Sequence, residues 1–127
     1  MEKHIISTTN APAAIGPYSQ AVKVGNLLYT SGQLAINPAT GEFINDDIKR
    51  ATAQSLDNVS AILKEAGTTL DKVVKTLVFL KDMNDFADMN EVYAQYFNTN
   101  PPARSCVQAA KLPKDALVEI EVIAIVE

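Results

Sequence analysis

The chain has 127 residues, of which 47% are apolar and 20% are charged, and these values are typical of one globular domain spanning residues 1–127. A net charge of −4, a pI near 4.9 and the absence of a lysine- or arginine-rich cluster argue against a nucleic-acid partner. The longest apolar run, Val122–Val126, is too short to cross a membrane and the first residues lack an apolar segment, so we expect a cytoplasmic protein.

The first predicted elements are a β-hairpin and a long helix. Residues 19–24 and 27–31 flank Gly25-Asn26, which supplies the positive φ values of a two-residue hairpin turn. From Asp47 to Ala66 apolar residues recur at three- and four-residue spacing, which predicts an amphipathic helix with Asp46 or Asp47 as N-cap and Gly67 as C′ residue. The inner stripe of this helix consists of Ile48, Thr52, Leu56, Val59, Leu63 and Ala66.

The second half of the chain alternates strands with one shorter helix. A strand is predicted over Asp71–Leu80, a helix from Asn84 or Asp85 to about Phe97, and two last strands over Arg104–Ala109 and Leu117–Val126. The inward residues of the helix are predicted to be Phe86, Met89, Tyr93 and Tyr96 or Phe97. This order predicts an α+β fold with one mixed sheet and two helices packed on one of its faces.

Two of the predicted strands are apolar on both faces. Val73, Leu77 and Phe79 fall on one side of the first strand, and Val74, Val78 and Leu80 on the other. The last strand is apolar on its even-numbered face and again at Ile123 and Ile125. A strand buried on both faces needs a cover on each, so we expect a homo-oligomer with its sheets facing inward. The alternative is a sandwich whose helices are split between the faces.

Arg104 and Glu119 are the strongest candidates for chemistry. Arg104 follows Pro101-Pro102-Ala103 at the start of a strand, and a fixed guanidinium matches a carboxylate in bidentate fashion. Glu119 lies on the partly buried second face, where a carboxyl has a raised pKa and can transfer protons. The alternatives are an unpartnered surface arginine and a solvent-facing glutamate.

Other polar residues have a structural reading beside the functional one. Asn90 interrupts the apolar stripe of the second helix, and a buried amide bonds either to the protein or to a ligand. Cys106 points the same way as Arg104 and reads as a small apolar residue that can line a pocket, since no histidine can activate it. Turn structure by itself accounts for Tyr18 and for Ser31-Gly32-Gln33.

Metal and cofactor sites are not predicted. One cysteine and one histidine cannot supply the ligands of a structural zinc site, and a Ser-His-Asp triad would have to recruit His4 from the N-terminus. The common glycine-rich phosphate-binding motifs are absent. We therefore expect an enzyme, if it is one, to work without metal or cofactor.

Several long motifs occur in a characteristic order and spacing. They are Gly16-Pro17-Tyr18-Ser19-Gln20-Ala21, Tyr29-Thr30-Ser31-Gly32-Gln33, Pro102-Ala103-Arg104-Ser105-Cys106-Val107, Leu112-Pro113-Lys114-Asp115 and Val118-Glu119-Ile120-Glu121. In these motifs the sequence resembles the RidA/YjgF family of enamine/imine deaminases, and the similarity extends over essentially the whole chain.

The resemblance implies a chorismate-mutase-like α+β fold and a homotrimer whose sheets form a central barrel, with sites in clefts between subunits. It further implies hydrolysis of 2-iminobutanoate and 2-iminopropanoate to 2-oxo acids and ammonia. These imines arise from pyridoxal-phosphate dehydratases, and their removal protects other pyridoxal-phosphate enzymes from reactive enamines. A protonated imine is already electrophilic, which suits a site without metal.

The resemblance also implies roles for single residues. Arg104 would bind the substrate carboxylate, and Glu119 and Cys106 would hold the attacking water. The other implied pocket residues are Tyr18, Ser31, Gly32 and Asn90. Two alternatives stay open, namely a non-catalytic regulatory or chaperone-like protein that binds 2-oxo acids and a translation-inhibiting endoribonuclease.

Overall fold

The computed structural model describes all residues of the chain, 1–127, and shows one six-stranded sheet and two α-helices. Neither helix combines the length and hydropathy needed to cross a membrane. The predicted α+β class is confirmed. The elements are β1 Lys3–Ile6, β2 Ala21–Val24, β3 Leu27–Thr30, α1 Ile48–Glu65, β4 Val73–Leu80, α2 Phe86–Tyr96, β5 Ala103–Gln108 and β6 Val118–Ile125.

The sheet has the order β1-β2-β3-β6-β4-β5, and only the β4–β5 pair is parallel. The predicted hairpin is confirmed as β2 and β3. Strand β1 was not among the predicted strands, because it is a short edge strand whose side chains are mostly exposed and show no apolar alternation. The strand predicted to begin at Asp71 is β4, which begins two residues later at Val73, because Leu70–Lys72 forms a single 3-10 turn before it.

Helix α1 agrees closely with its predicted bounds. The Asp47 carboxylate caps it by accepting from the backbone N–H groups of Lys49 (3.0 Å) and Arg50 (3.3 Å), and Gly67 follows the helix at a φ of 88°. Its inner face carries polar residues as well as apolar ones. Ser55 Oγ donates to the carbonyl of Gln33 at 2.7 Å, and the Asn58 amide donates to two further carbonyls of the 34–36 segment.

Helix α2 packs against α1 and reaches the sheet through Tyr93. The Tyr93 hydroxyl lies 2.8 Å from Thr76 Oγ1 of β4, and Met89 and Phe97 are buried as predicted. The prediction that Phe86 faces the core is wrong. Phe86 is 36% exposed because it is the first residue of α2, where its ring covers the Arg104 guanidinium rather than the core.

The two faces of the sheet differ sharply. Even-numbered residues of β6 are buried beneath the helices, whereas its odd-numbered residues are only half-buried on the opposite face. A β-bulge between Val73 and Lys75 reverses the predicted sides at the start of β4, so Val73 faces the helices and Val74 is exposed. The face without helices, here called the open face, carries Val22, Tyr29, Leu77, Phe79, Val107, Ile123 and Ile125.

Candidate active site

The residues predicted to form the site fall into two groups on opposite faces of the sheet. Arg104 pairs in register with Thr76, which is buried beneath α2, whereas Glu119 pairs with Phe79 on the open face. Because side chains alternate along a strand, Thr76 and Phe79 point to opposite sides. Arg104 and Glu119 therefore do not meet within one chain. We call the groups the arginine cluster (Asn90, Arg104 and Cys106) and the glutamate cleft (Tyr18, Ser31, Gly32 and Glu119).

In the arginine cluster, the guanidinium of Arg104 is fixed by three neighbours on α2. Its Nη1 donates to Asn90 Oδ1 at 2.7 Å, which is a short charge-assisted bond. Its Cζ lies 4.7 Å from the centroid of the Tyr93 ring and 5.4 Å from that of Phe86. Both distances are within the range of cation–π attraction. The orientation of the guanidinium is thus set before any ligand arrives.

Arg104 has no acidic partner. The ion pairs of the structure join Lys49 to Glu91, Arg50 to Glu42 and Asp46, and Lys81 to Asp115. The half-buried guanidinium keeps an uncompensated positive charge and N–H groups that Asn90 does not use. A planar anion such as a carboxylate matches both properties.

Tyr93 contacts the arginine cluster through Arg104, although the sequence predicted it only as a core residue. Burial raises the pKa of its phenol, against the weaker opposing effects of the Thr76 hydrogen bond and the Arg104 charge, so the ring stays neutral. The signal for its role was the helical spacing of Phe86, Asn90 and Tyr93, which places all three side chains on one face of α2.

Cys106 lies next to Arg104 along the same side of β5 and packs against the core. Burial raises the pKa of its thiol, and the positive charge of Arg104 opposes this effect only in part. A thiol held in its neutral form is a poor nucleophile. Both features indicate a packed neutral thiol rather than a nucleophile at Cys106.

The glutamate cleft is an open depression of about 680 Å³ beside the start of β6. Its lining includes Glu119, the Ser31–Gly32 segment after β3, and Tyr18. Apolar residues complete the wall, namely Pro12, Ala13, Ile15, Leu34 and Ile36. All four members of the glutamate cleft thus line the same space.

Gly32 permits a close contact between the backbone and Glu119. A Cβ atom at position 32 would lie 2.6 Å from Glu119 Cδ and 2.7 Å from its Cγ, which is closer than such atoms can approach. The next residue, Gln33, exchanges two backbone hydrogen bonds with Ile120, and these bonds hold the segment against β6. A side chain at position 32 would push the Glu119 carboxyl out of its place.

The Glu119 carboxyl has a pKa above its ordinary value. Burial raises the pKa of its carboxyl, and the charge of Glu121 on the same face raises it further. A carboxyl whose pKa moves toward neutrality can act as both proton acceptor and proton donor in one reaction cycle.

Ser31 and Tyr18 are oriented by the backbone around them. Ser31 Oγ donates to the carbonyl of Ser19 at 2.6 Å. The Tyr18 hydroxyl accepts from the N–H of Ile15 at 3.3 Å, and the residue is 51% exposed. The hydroxyl proton of Tyr18 is therefore free for a ligand in the cleft.

The sequence and structure match known proteins over nearly the full chain. A family model described as endoribonuclease L-PSP matches residues 8–126. A RutC family protein of Pyrococcus horikoshii is 57% identical over 122 residues, which cover 96% of this chain and 97% of that protein.

Two relatives from Escherichia coli have more specific names. The 2-iminobutanoate/2-iminopropanoate deaminase is 54% identical over 123 residues, which cover 94% of this chain and 95% of that protein. The structure of TdcF, solved with bound serine, superposes with a TM-score of 0.93 at 47% identity and covers 98% of this chain and 99% of that one.

The contact between Gly32 and Glu119 predicts the effect of a methyl group at position 32. We expect Gly32→Ala to lower the free energy of unfolding by about 0.5–1 kcal/mol, because the Glu119 side chain must leave its position but its far end is flexible and can move to another rotamer. Urea denaturation measures this cost. In a Glu119→Ala background the obstructing atoms are gone, so the same substitution should cost almost nothing. Equal costs in both backgrounds would contradict the packing described here.

The raised pKa of Glu119 predicts a dependence of stability on pH. A carboxyl with a folded-state pKa above its ordinary value of 4.5 favours the folded state at low pH, and this contribution is lost as the pH rises through the folded-state pKa. Glu119→Gln removes the carboxyl and with it the free-energy cost of ionising that group in the folded protein. We expect its melting temperature to exceed that of the wild type at about pH 8 and the gap to close toward about pH 4. Glu65→Gln, at an exposed site on α1, controls for the loss of one charge. A gap for Glu119→Gln that is the same at both pH values would refute the assignment.

Proposed function

The chain belongs to the RidA/YjgF family, and on that premise we propose that it is an enamine/imine deaminase that hydrolyses 2-iminobutanoate and 2-iminopropanoate to 2-oxo acids and ammonia. The observation that carries the proposal is the combination of an oriented guanidinium without an acidic partner and a cleft carboxyl of raised pKa. The first group suits a substrate carboxylate and the second suits proton transfer at its imine.

The substrate would be anchored by its carboxylate on Arg104. The guanidinium offers N–H groups in a fixed plane, since Asn90 and the Tyr93 ring already restrict its rotation. The bound ligand in the TdcF structure is serine, and serine carries the same α-carboxylate. An imino acid held at this end has its C=N bond in a defined position, which reduces the entropic barrier to attack.

The reaction then requires one water and the movement of protons. Water attacks the carbon of the protonated imine, and the Glu119 carboxylate accepts a proton from it, which gives a neutral carbinolamine. The Glu119 acid returns that proton to the nitrogen. The C–N bond breaks, the oxygen forms the carbonyl of the 2-oxo acid, and ammonia leaves with the hydroxyl proton as ammonium. No redox change occurs, and Glu119 ends in its starting state.

A complete site would need two copies of the chain. Arg104 and Glu119 lie on opposite faces of one sheet, so they can act together only if neighbouring copies each contribute one of them. The open face supports such an assembly, because it carries apolar side chains of which Tyr29 and Val107 are each 44% exposed. We infer a homotrimer whose open faces meet at the centre and whose sites lie between subunits.

The cellular role that follows is protection from reactive metabolites. Elimination of water from threonine or serine by pyridoxal-phosphate dehydratases yields enamines that tautomerise to these imines. Rapid hydrolysis would shorten the lifetime of the enamine and protect other pyridoxal-phosphate enzymes.

The description of the family model favours a second candidate, an endoribonuclease. The net charge of −4 weighs against it, because binding of RNA relies on neutralising phosphates with lysine and arginine. Ribonuclease activity that survives Arg104→Ala would favour this candidate over the deaminase.

An assay coupled to threonine dehydratase tests the deaminase directly. Semicarbazide traps the imine, so an active deaminase lowers semicarbazone formation relative to 2-oxobutanoate. We expect Arg104→Ala to lose at least about a hundredfold in activity because the carboxylate loses its anchor. Arg50→Ala removes the other arginine, which forms exposed ion pairs, and should leave activity unchanged. Wild-type protein without effect would instead favour the non-catalytic 2-oxo-acid-binding protein.

A complementation experiment tests the shared site. Arg104→Ala and Glu119→Ala should each be inactive alone, because each spoils one side of every site. After the two variants are unfolded and refolded together in equal amounts, about one quarter of the sites should carry both intact groups and regain activity.

The matched control mixes Arg104→Ala with Asn90→Ala. Both changes fall in the arginine cluster, so no mixed assembly contains an intact cluster and activity should stay low. Recovery in this control, or no recovery with the first pair while the mixed oligomers form, would contradict a site built from two copies.

A further inference from the structure

One wall of the glutamate cleft is a loop without regular secondary structure. Residues 7–19, here called the N-terminal loop, lead from β1 to Gln20 and β2, and Pro12, Ile15 and Tyr18 of this loop line the cleft. The ends of the loop are close together because Ile6 pairs with Ala21. Compact loops of this kind depend on side chains for their internal contacts.

The loop makes few hydrogen bonds of its own. The Tyr18 N–H donates to the Gly16 carbonyl at 2.9 Å, and the Asn10 N–H donates to Thr8 Oγ1 at 3.1 Å. The bond from Ile15 to the Tyr18 hydroxyl is long, at 3.3 Å. These bonds form local turns and do not tie the loop to the sheet.

The side chain of Gln20 supplies the missing connection. Gln20 directly precedes β2 and is 4% exposed. Its side chain lies among residues of the N-terminal loop. Its Oε1 accepts from the Thr8 N–H at 2.7 Å, and its Nε2 donates to the carbonyls of Pro12 (2.7 Å), Thr8 (3.1 Å) and Ala11 (3.4 Å). One amide therefore contacts the loop backbone at three residues, Thr8, Ala11 and Pro12.

The backbone of residues 19 and 20 is hydrogen-bonded to Ser31, which also lines the cleft. The carbonyl of Gln20 accepts from the Ser31 N–H at 2.9 Å, and the carbonyl of Ser19 accepts from Ser31 Oγ at 2.6 Å. Ser31 precedes Gly32, which touches Glu119. A continuous chain of contacts thus runs from the loop through Gln20 and Ser31 to the Glu119 carboxyl.

We propose that Gln20 is a positioning residue for the deaminase site, because its amide holds in place the N-terminal loop, whose Tyr18 lines the same cleft as Glu119. The inference rests on the proposed function for its catalytic consequence. The amide supplies one oxygen for the Thr8 N–H and two N–H groups, which the Pro12 and Thr8 carbonyls accept at the shorter distances. A glutamate of equal size would set an oxygen against three carbonyl oxygens.

Kinetics and hydrogen exchange of Gln20→Ala test the proposal. We expect kcat/KM for the imine to fall by about ten- to a hundredfold, because the cleft wall is displaced. Amides of residues 8–18 should exchange faster, while those of β4 and β6 keep their protection. Gln95→Ala, at an exposed position on α2, should match the wild type in both measurements. Faster exchange with unchanged kcat/KM would overturn the proposal.

A double-mutant cycle separates positioning from general stability. If Gln20 acts by placing Tyr18, then most of the effect of Gln20→Ala on kcat/KM should disappear in a Tyr18→Ala background. Additive losses would overturn the proposal.

Gln20→Glu keeps the side-chain volume and provides the measurement if Gln20→Ala fails to fold. Its protonated form regains one donor toward the carbonyls, so activity relative to wild type should recover as the pH falls from about 8 to about 5. A pH-independent ratio would contradict the role of the amide donors. An inactive wild type would overturn the deaminase, whereas the exchange measurement would still decide whether Gln20 holds the loop.

Discussion

The alternation of β6 is the constraint on which the rest of the structure depends. Its even-numbered residues, such as Ile120 and Val122, fill the core beneath α1, so its odd-numbered residues must point to the other face. Glu119 is one of them. A carboxyl on this strand therefore faces away from the helices, while Arg104 on β5 faces toward them. Within one chain the two groups therefore do not meet, and the proposed shared site requires a second copy.

Arg104 is held in place by neighbours that do not neutralise its positive charge. An arginine in a half-buried place is normally neutralised by an acidic neighbour, but here the neighbours are two aromatic rings and one amide oxygen. Each cation–π contact contributes roughly 0.5–2 kcal/mol and leaves the donors in the guanidinium plane free. The charge is stabilised enough to stay in place, and a carboxylate ligand would still gain a full ion pair.

Both irregular walls of the cleft are held by buried amides and hydroxyls. On one side Ser55 and Asn58 of α1 donate to carbonyls of residues 33–36, and on the other Gln20 binds the N-terminal loop. Backbone groups in such segments lack strand or helix partners, so buried side chains must satisfy them. Ser55, Asn58 and Gln20 thus fix the shape of the two segments that line the cleft.

The sequence by itself determined the elements with strong local signals. The Gly25-Asn26 turn, the Asp47 cap, the helical stripe of α1 and the alternation of β6 all depend on neighbours in the chain, and the structure agrees with each. The resemblance of several ordered motifs likewise identified the family. Only the tertiary structure decided the pairing of β1, the bulge that exchanges the sides of Val73 and Val74, and the placement of Phe86 over Arg104. It also decided that Gln20 spans the N-terminal loop and that Arg104 and Glu119 lie on opposite faces. These features arise from contacts between residues far apart in sequence, and no local periodicity or propensity encodes which distant partner a strand, a ring or an amide will meet.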